Sequence, residues 1–153
     1  MKLYTVPEAS EKLGIQHGRL REWISRQYIF PHKRAKGRGT KNLLSVWNLY
    51  QIRLFEYLME RGLSREKIGL LIFHITVPVE DYKYIDNYEG NPDVEPESCK
   101  LSDFILIYND GEEVRYGGSF NYGKVELDMQ DDMKDVIIIN MNQIRKDVDS
   151  LLK

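Results

Sequence analysis

The apolar and polar positions at the start of the chain predict two short helices joined by a tight turn. Thr5 and Glu8 have the spacing of a capping box, which predicts a helix over residues 7–13 that Gly14 ends. A second helix is expected over residues 17–27. Its buried stripe has three apolar residues at helical spacing: Leu20, Trp23 and Ile24. Such a pair is typical of a helix-turn-helix, although any corner between two helices shares the pattern.

Two longer helices are predicted next. Ser45 can cap a helix over residues 46–61, which Gly62 ends, and another helix over residues 64–74 precedes Pro78. The apolar side chains at helical spacing that we expect in the core are Val46, Leu49, Ile52, Leu54, Phe55, Leu58, Met59, Ile68, Leu71 and Ile72.

The second half alternates short apolar runs with turn residues. Strands are predicted over residues 103–108, 113–116, 124–129 and 136–141. Asn109-Asp110-Gly111-Glu112 predicts a hairpin turn, because Asp-Gly suits positive φ. Asn142 can cap a final helix that ends at Leu152, with an apolar face of Ile144, Val148, Leu151 and Leu152. The predicted fold class is therefore α+β, with a mainly helical first half and a small α+β second half built on an antiparallel sheet.

Charge divides the chain at the same place. The 153 residues have a net charge of -2. Residues 1–77 hold 14 basic and 6 acidic residues, a charge of +8, whereas residues 78–153 hold 8 basic and 18 acidic residues, a charge of -10. We therefore predict two domains, 1–77 and 78–153, of which the basic one has an anionic partner.

A basic loop follows the two short helices. Five of the ten residues in 32–41 are Lys or Arg and none is acidic, and two glycines indicate a mobile loop or a hairpin. Such a loop beside a helix-turn-helix is what a winged helix needs, with the helix in the major groove and the wing on flanking phosphates.

Composition excludes several other classes. With 42% hydrophobic and 30% charged residues the chain is ordinary globular material, and no apolar run is long enough to cross a membrane. Cys99 is the single cysteine, so no internal disulfide can form, and the three histidines show no metal-ligand spacing. We expect a cytoplasmic protein that is not an enzyme, with no cofactor, no metal and no catalytic residues.

Residues 3–72 resemble the DNA-binding domain of the mercury-resistance-regulator (MerR) family of bacterial transcription factors. The opening of that domain corresponds to Tyr4-Thr5-Val6-Pro7-Glu8-Ala9, and its turn and recognition helix to residues 14–24. The family's Gly-Leu-Leu-x-Pro becomes residues 27–31, its Tyr-Ser-x-x-Asp-Leu becomes residues 44–49, and its Gly-Phe-Ser-x-x-x-Ile becomes residues 62–68. The resemblance implies a sequence-specific regulator that binds double-stranded DNA as a homodimer.

The sequence also departs from the family. Glu22 stands where the family has an aromatic residue, and the family's Arg-x-Tyr in the wing falls on residues 42–44, where we expect Lys41 or Arg38 to substitute. Pro78 and a Tyr- and Asp-rich stretch without heptads replace the family's long dimerisation helix. Dimerisation, effector sensing or both are therefore expected of the acidic second half, with a small molecule or a protein as the effector.

The candidate DNA contacts lie on the second helix and in the basic loop. The helix set is Gln16, His17, Arg19, Arg21 and Arg26. The loop set is Lys33, Arg34, Lys36, Arg38 and Lys41. Arg can pair bidentately with guanine or hold a phosphate. The alternative, an exposed helix face and a solvated loop that bind nothing, leaves the repulsion among the loop cations unrelieved.

Two other functions stay open. One is a phage or plasmid architectural DNA-binding protein, of the excisionase or terminase small-subunit type. The other is a protein-interaction adaptor that acts through its acidic domain. Six tyrosines could line an effector pocket there or could equally be sheet residues: Tyr82, Tyr84, Tyr88, Tyr108, Tyr116 and Tyr122.

Overall fold

A computed structural model describes residues 2–76, 104–109, 114–120 and 135–153. The helical half begins with β1 (Tyr4–Thr5), α1 (Val6–Leu13) and α2 (His17–Ser25). It continues with β2 (Leu43–Leu44), α3 (Val46–Glu60) and α4 (Arg65–Thr76). These are the four helices that the apolar spacing predicts. None of the described helices is long and apolar enough to cross a membrane.

The caps of α1 and α3 explain where these helices begin. Thr5 Oγ1 accepts a hydrogen bond from the Glu8 backbone at 3.4 Å, and the Glu8 carboxylate accepts one from the Thr5 backbone at 2.7 Å. This backbone bond from Thr5 is the main reason that the pKa of Glu8 is lowered. Ser45 caps α3 as predicted, and its partner in a second capping box is Asn48.

Helix α2 is shorter than the apolar pattern predicts. It ends at Ser25 and not at Gln27, whose φ of 61° lies in the left-handed region. The Tyr28 backbone N–H donates to Trp23 O at 2.9 Å, which closes the turn over the end of the helix. The MerR pattern has Gly at the position of Gln27, which is the residue that tolerates this conformation best.

A second sheet contains the three described strands of the acidic half, β3 (Phe104–Asn109), β4 (Val114–Phe120) and β5 (Asp135–Asn140). Their order is β4-β3-β5 and both pairings are antiparallel, so the described residues confirm the predicted α+β class. Strand β4 is longer than predicted because it passes Gly117 with a register shift. The predicted strand over residues 124–129 lies outside the described residues, as does most of the predicted hairpin turn.

Strand β5 passes directly into α5 (Met141–Leu151). The cap is Asn140 and not the predicted Asn142, because the Asn140 side chain accepts a hydrogen bond from the Asn142 backbone at 3.1 Å. The apolar pattern also predicts that Leu151 faces inward, but this side chain is 41% exposed. The buried row on α5 follows an i, i+4 spacing that leaves Leu151 to one side: Ile144, Val148 and the partly buried Leu152.

The described residues bury one apolar cluster to which both halves of the chain contribute. Trp23, Leu49 and Phe55 lie in it with no exposed surface, beside Met141 and Val148 of α5. Tyr50 of α3 also donates a hydrogen bond from its hydroxyl to Asp149 Oδ1 at 2.7 Å. Helix α5 therefore packs directly on the helical half, and the division into domains 1–77 and 78–153 stays a prediction.

Candidate nucleic-acid interface

Helix α2 has a buried side and a charged, exposed side. Leu20 and Trp23 have no exposed surface, and the centroids of the Trp23 and Phe55 rings lie 4.4 Å apart. Trp23 and Phe55 are thus core residues, as the sequence predicts. The five candidate side chains of this helix and its end are all exposed: Gln16, His17, Arg19, Arg21 and Arg26. Burial of one side fixes which side chains point outward.

Glu22 modifies the charge of this exposed side. Its Oε1 atom lies 3.2 Å from Nε of Arg26 and 3.3 Å from an Nη of Arg65 at the start of α4. Arg26 is therefore ion-paired, which distinguishes it from the neighbouring candidates. The pairing of Glu22 with Arg26 could be read from their i, i+4 spacing. The contact with Arg65 depends on the packing of α4 and has no local signal.

The basic loop is a hairpin, which we call the wing (residues 33–43). At its base, the backbones of Lys33 and Leu43 exchange two hydrogen bonds of 3.0 and 2.9 Å. Leu43 also pairs with Thr5, so the wing continues the small sheet of β1 and β2. Halfway along, Asn42 Oδ1 accepts a hydrogen bond from the Ala35 backbone at 2.8 Å. Of the two structures that the sequence allows here, a mobile loop or a hairpin, the chain forms the hairpin.

The wing tip is a turn tied by Thr40. Its hydroxyl donates to Gly37 O at 2.7 Å and accepts from the backbone N–H groups of Lys36 and Gly37 at 2.8 and 3.0 Å. Gly37 and Gly39 have φ values of 146° and 87°, which favour glycine. Arg38 lies between these glycines and is exposed in the turn at the wing tip.

All five cations predicted to hold phosphate are exposed in the wing: Lys33, Arg34, Lys36, Arg38 and Lys41. Lys41 also contributes to the lowered pKa of Glu8, so its positive charge stabilises the Glu8 carboxylate at the start of α1. Burial, and then the charge of Lys33, lower the pKa of His32. A positive charge on His32 is therefore disfavoured at the base of the wing.

Asn48 joins the wing to α3, and sequence reasoning missed it. Its Oδ1 accepts from the backbone N–H groups of His32 and Ser45, each at 3.0 Å. Its Nδ2 donates to Phe30 O at 2.7 Å and to Gln51 Oε1 at 3.2 Å. The one sequence signal is the spacing of Ser45 and Asn48 as a capping box, which gives no hint of contacts 16 and 18 residues away.

A second polar contact lies beneath the helix-turn-helix. Arg53 donates to Glu56 Oε2 at 2.8 Å and to the carbonyl of Leu13, the last residue of α1, at 3.3 Å. Burial is the main reason that the pKa of Glu56 is raised, and the charges of Arg53 and Arg19 offset this increase only in part. The turn between α1 and α2 thus rests on α3 through a charged pair.

The remaining chemistry of the sequence is sparse among the described residues. Residues 2–76, 104–109, 114–120 and 135–153 contain no group of three or more His, Cys, Asp or Glu residues that could hold a metal ion. Cys99 lies outside these ranges. Tyr108 is in β3 and Tyr116 in β4, and the other four candidate pocket tyrosines are outside the described residues. An effector pocket stays a prediction.

Two short helices, a tight turn and a basic wing define a winged helix-turn-helix unit, the class of protein module that places a helix in a DNA groove. Residues 4–72 match the family model described as MerR HTH family regulatory protein. The predicted resemblance is thereby confirmed for residues 4–72, and the match supports a DNA-binding transcription regulator. No curated protein matches the chain.

Proposed function

We propose that the protein is a sequence-specific regulator of transcription that binds double-stranded DNA with α2 in the major groove and the wing on flanking phosphates. The observation that carries the proposal is the joint exposure of Arg19 and Arg21 on a helix whose other side is fully buried. The five exposed cations of the ordered wing, within a segment that matches MerR regulators, support it.

The chemistry of each group suggests its part. Arg21 and Arg19 can read guanine through two parallel hydrogen bonds, or clamp a phosphate. Gln16 and His17 lie at the start of α2, where the first turn of a recognition helix meets base edges. The wing cations neutralise phosphates, which adds affinity and salt dependence but carries no sequence information.

We further propose that the protein acts as a homodimer in bacterial cytoplasm and that its acidic half serves dimerisation or sensing. Dimers are usual among MerR regulators. The charge of -10 on residues 78–153 disfavours contact between that half and DNA. The packing of α5 on α3 offers a direct route by which events in the acidic half could reach the DNA-binding unit.

The test is fluorescence anisotropy with a duplex selected from a random pool. Removal of one bidentate pair costs about 1–3 kcal/mol, which is about 5- to 150-fold in affinity. Arg21→Glu should weaken binding by an amount in this range or larger. Lys146→Glu is the matched control, because it reverses an exposed cation on α5, outside the proposed interface. If both variants bind like the unmodified protein, the groove assignment is wrong.

The symmetry of the selected sites separates the proposal from the alternatives. A homodimeric regulator should protect one palindromic site, with half-sites about one helical turn apart or a multiple of that distance. An architectural protein should instead protect a run of closely spaced sites cooperatively. Selection of no duplex at all would favour the adaptor hypothesis.

A further inference from the structure

We propose that Asn48 is a positioning residue for DNA binding: its carboxamide sets the direction in which the wing leaves the protein, through a two-way link that a carboxylate cannot make. The inference rests on the proposed function, because it assigns Asn48 a part in the contact between the wing and phosphate.

The link holds the chain on both sides of Pro31, just before the wing begins. Asn48 Nδ2 donates to Phe30 O at 2.7 Å, and Oδ1 accepts from His32 N at 3.0 Å. Pro31 has no backbone N–H, so it cannot contribute a hydrogen bond of its own to this connection. Asn48 is only 5% exposed, so water competes little for these bonds.

The neighbouring groups require both a donor and an acceptor from this side chain. The N–H groups of His32 and Ser45 need an oxygen, which orients the amide and turns Nδ2 toward the Phe30 carbonyl. A carboxylate would keep the acceptor and the helix cap but would face the Phe30 carbonyl with a second oxygen. The MerR pattern has Asp at this position, so the amide of Asn48 departs from that pattern.

The consequence of losing the link concerns geometry, because none of the wing cations is removed. The wing cations lie beyond this anchor, and Arg38 is six residues past His32 in the chain. A small change of direction at the base moves the tip farther, because the hairpin from Lys33 to Leu43 is tied together as a unit. Loss of the link should therefore separate wing charges from phosphates without removing any charge.

The experiment compares Asn48→Asp with two reference variants. Ser45→Ala removes the hydroxyl cap of α3 but leaves both bonds from Asn48 to the base of the wing, so it controls for weakened α3 stability. A variant with all five wing cations changed to Ala defines binding without the wing. Two quantities are measured: the salt dependence of duplex affinity, and amide hydrogen exchange of His32 and Leu43 in the free protein.

We expect Asn48→Asp to reduce the salt slope toward that of the wing-alanine variant, by about 0.9 for each phosphate that the wing no longer neutralises. Exchange at Leu43 should become faster because the base of the wing is no longer held at Phe30 O, whereas exchange at His32 should change little because the carboxylate keeps its acceptor. Ser45→Ala should keep the original slope. Lowering the pH to protonate the substituted carboxyl restores a donor and should recover part of the slope. An unchanged slope in Asn48→Asp, or an equal loss in Ser45→Ala, would overturn the proposal.

The two readouts keep this inference apart from the proposed function. If the unmodified protein binds no duplex, the proposed function fails, and hydrogen exchange still decides whether Asn48 anchors the base of the wing. Should Asn48→Asp not fold, Asn48→Ser replaces it, because Ser45 still caps α3 through the backbone N–H of residue 48 while the shorter hydroxyl cannot reach Phe30 O. Unchanged exchange at His32 in that variant would contradict the anchor.

Discussion

Helix α2 carries Arg19 and Arg21 above a fully buried pair, Leu20 and Trp23, whereas the wing carries Arg38 at the end of a hairpin tied by hydrogen bonds. The same kind of side chain is thus presented in two ways. Apolar burial supports the helix, and polar contacts to backbone groups support the wing. The positions of charge in one proposed interface can therefore depend on unrelated forces, each of which can be removed separately.

Removal of the apolar support of α2 should destabilise the protein most. Trp23→Ala should lower the free energy of unfolding by about 3–5 kcal/mol, because a large aromatic side chain with no exposed surface is removed from the core. Urea denaturation measures this. Arg21→Ala, on the exposed side of the same helix, should stay within about 0.5 kcal/mol. A similar cost for both would show that α2 is not held by its apolar side.

Replacement of glycine by alanine should lower the stability of the wing and raise that of α2. Gly39→Ala should destabilise the wing by about 1–2 kcal/mol, since φ there is 87°. Gly18→Ala should stabilise α2 by about 0.5–1 kcal/mol, because the added methyl group meets nothing within 4 Å and Ala favours helix. Thermal denaturation of the two variants provides the comparison, and the same sign for both would contradict it.

The packing of α5 on α3 should also stabilise the helical half of the protein. Tyr50→Phe removes the hydrogen bond to Asp149 and should cost about 1 kcal/mol in urea denaturation. Burial, followed by this bond, raises the pKa of Tyr50 to about 12, from an ordinary value of 10.0. The contribution of the bond is therefore complete below pH 10 and is lost as the pH rises through about 12.

The control for that prediction is Tyr57→Phe, a partly buried tyrosine on the same helix with its ring against Arg61. Tyrosinate absorbance of the unmodified protein should include a late-titrating group that remains in Tyr57→Phe and is missing from Tyr50→Phe. If this group persists in Tyr50→Phe, the late titration belongs to another tyrosine.

The smallest effect on stability is expected at Glu22. Glu22→Gln breaks exposed ion pairs with Arg26 and Arg65, which contribute about 0–1 kcal/mol together. DNA affinity should nevertheless rise at low salt, because α2 loses its one acidic side chain and frees two cations. Anisotropy at two salt concentrations measures this. Weaker binding at both would mean that Glu22 orients the arginines for contact.

The same contrast explains what could be predicted from sequence. Apolar spacing located α1 to α4, and the buried stripe of α2 followed from Leu20, Trp23 and Ile24, because burial leaves a periodic pattern. The end of α2 was placed too late, since the left-handed Gln27 carries no signal that glycine would have given. Asn48 and Arg65 were missed because their partners are brought near only by tertiary packing.

The contribution of α5 to the buried cluster has a consequence for the order of folding. Met141, Ile144 and Val148 complete a core that Tyr4 and Val6 begin. Contacts between residues so far apart in sequence have a high entropic cost of loop closure and form slowly. During synthesis the helix-turn-helix leaves the ribosome with this core incomplete. We therefore expect competence for the proposed DNA binding to arise only after α5 has been made, so residues 141–151 determine when the helix-turn-helix before them becomes functional.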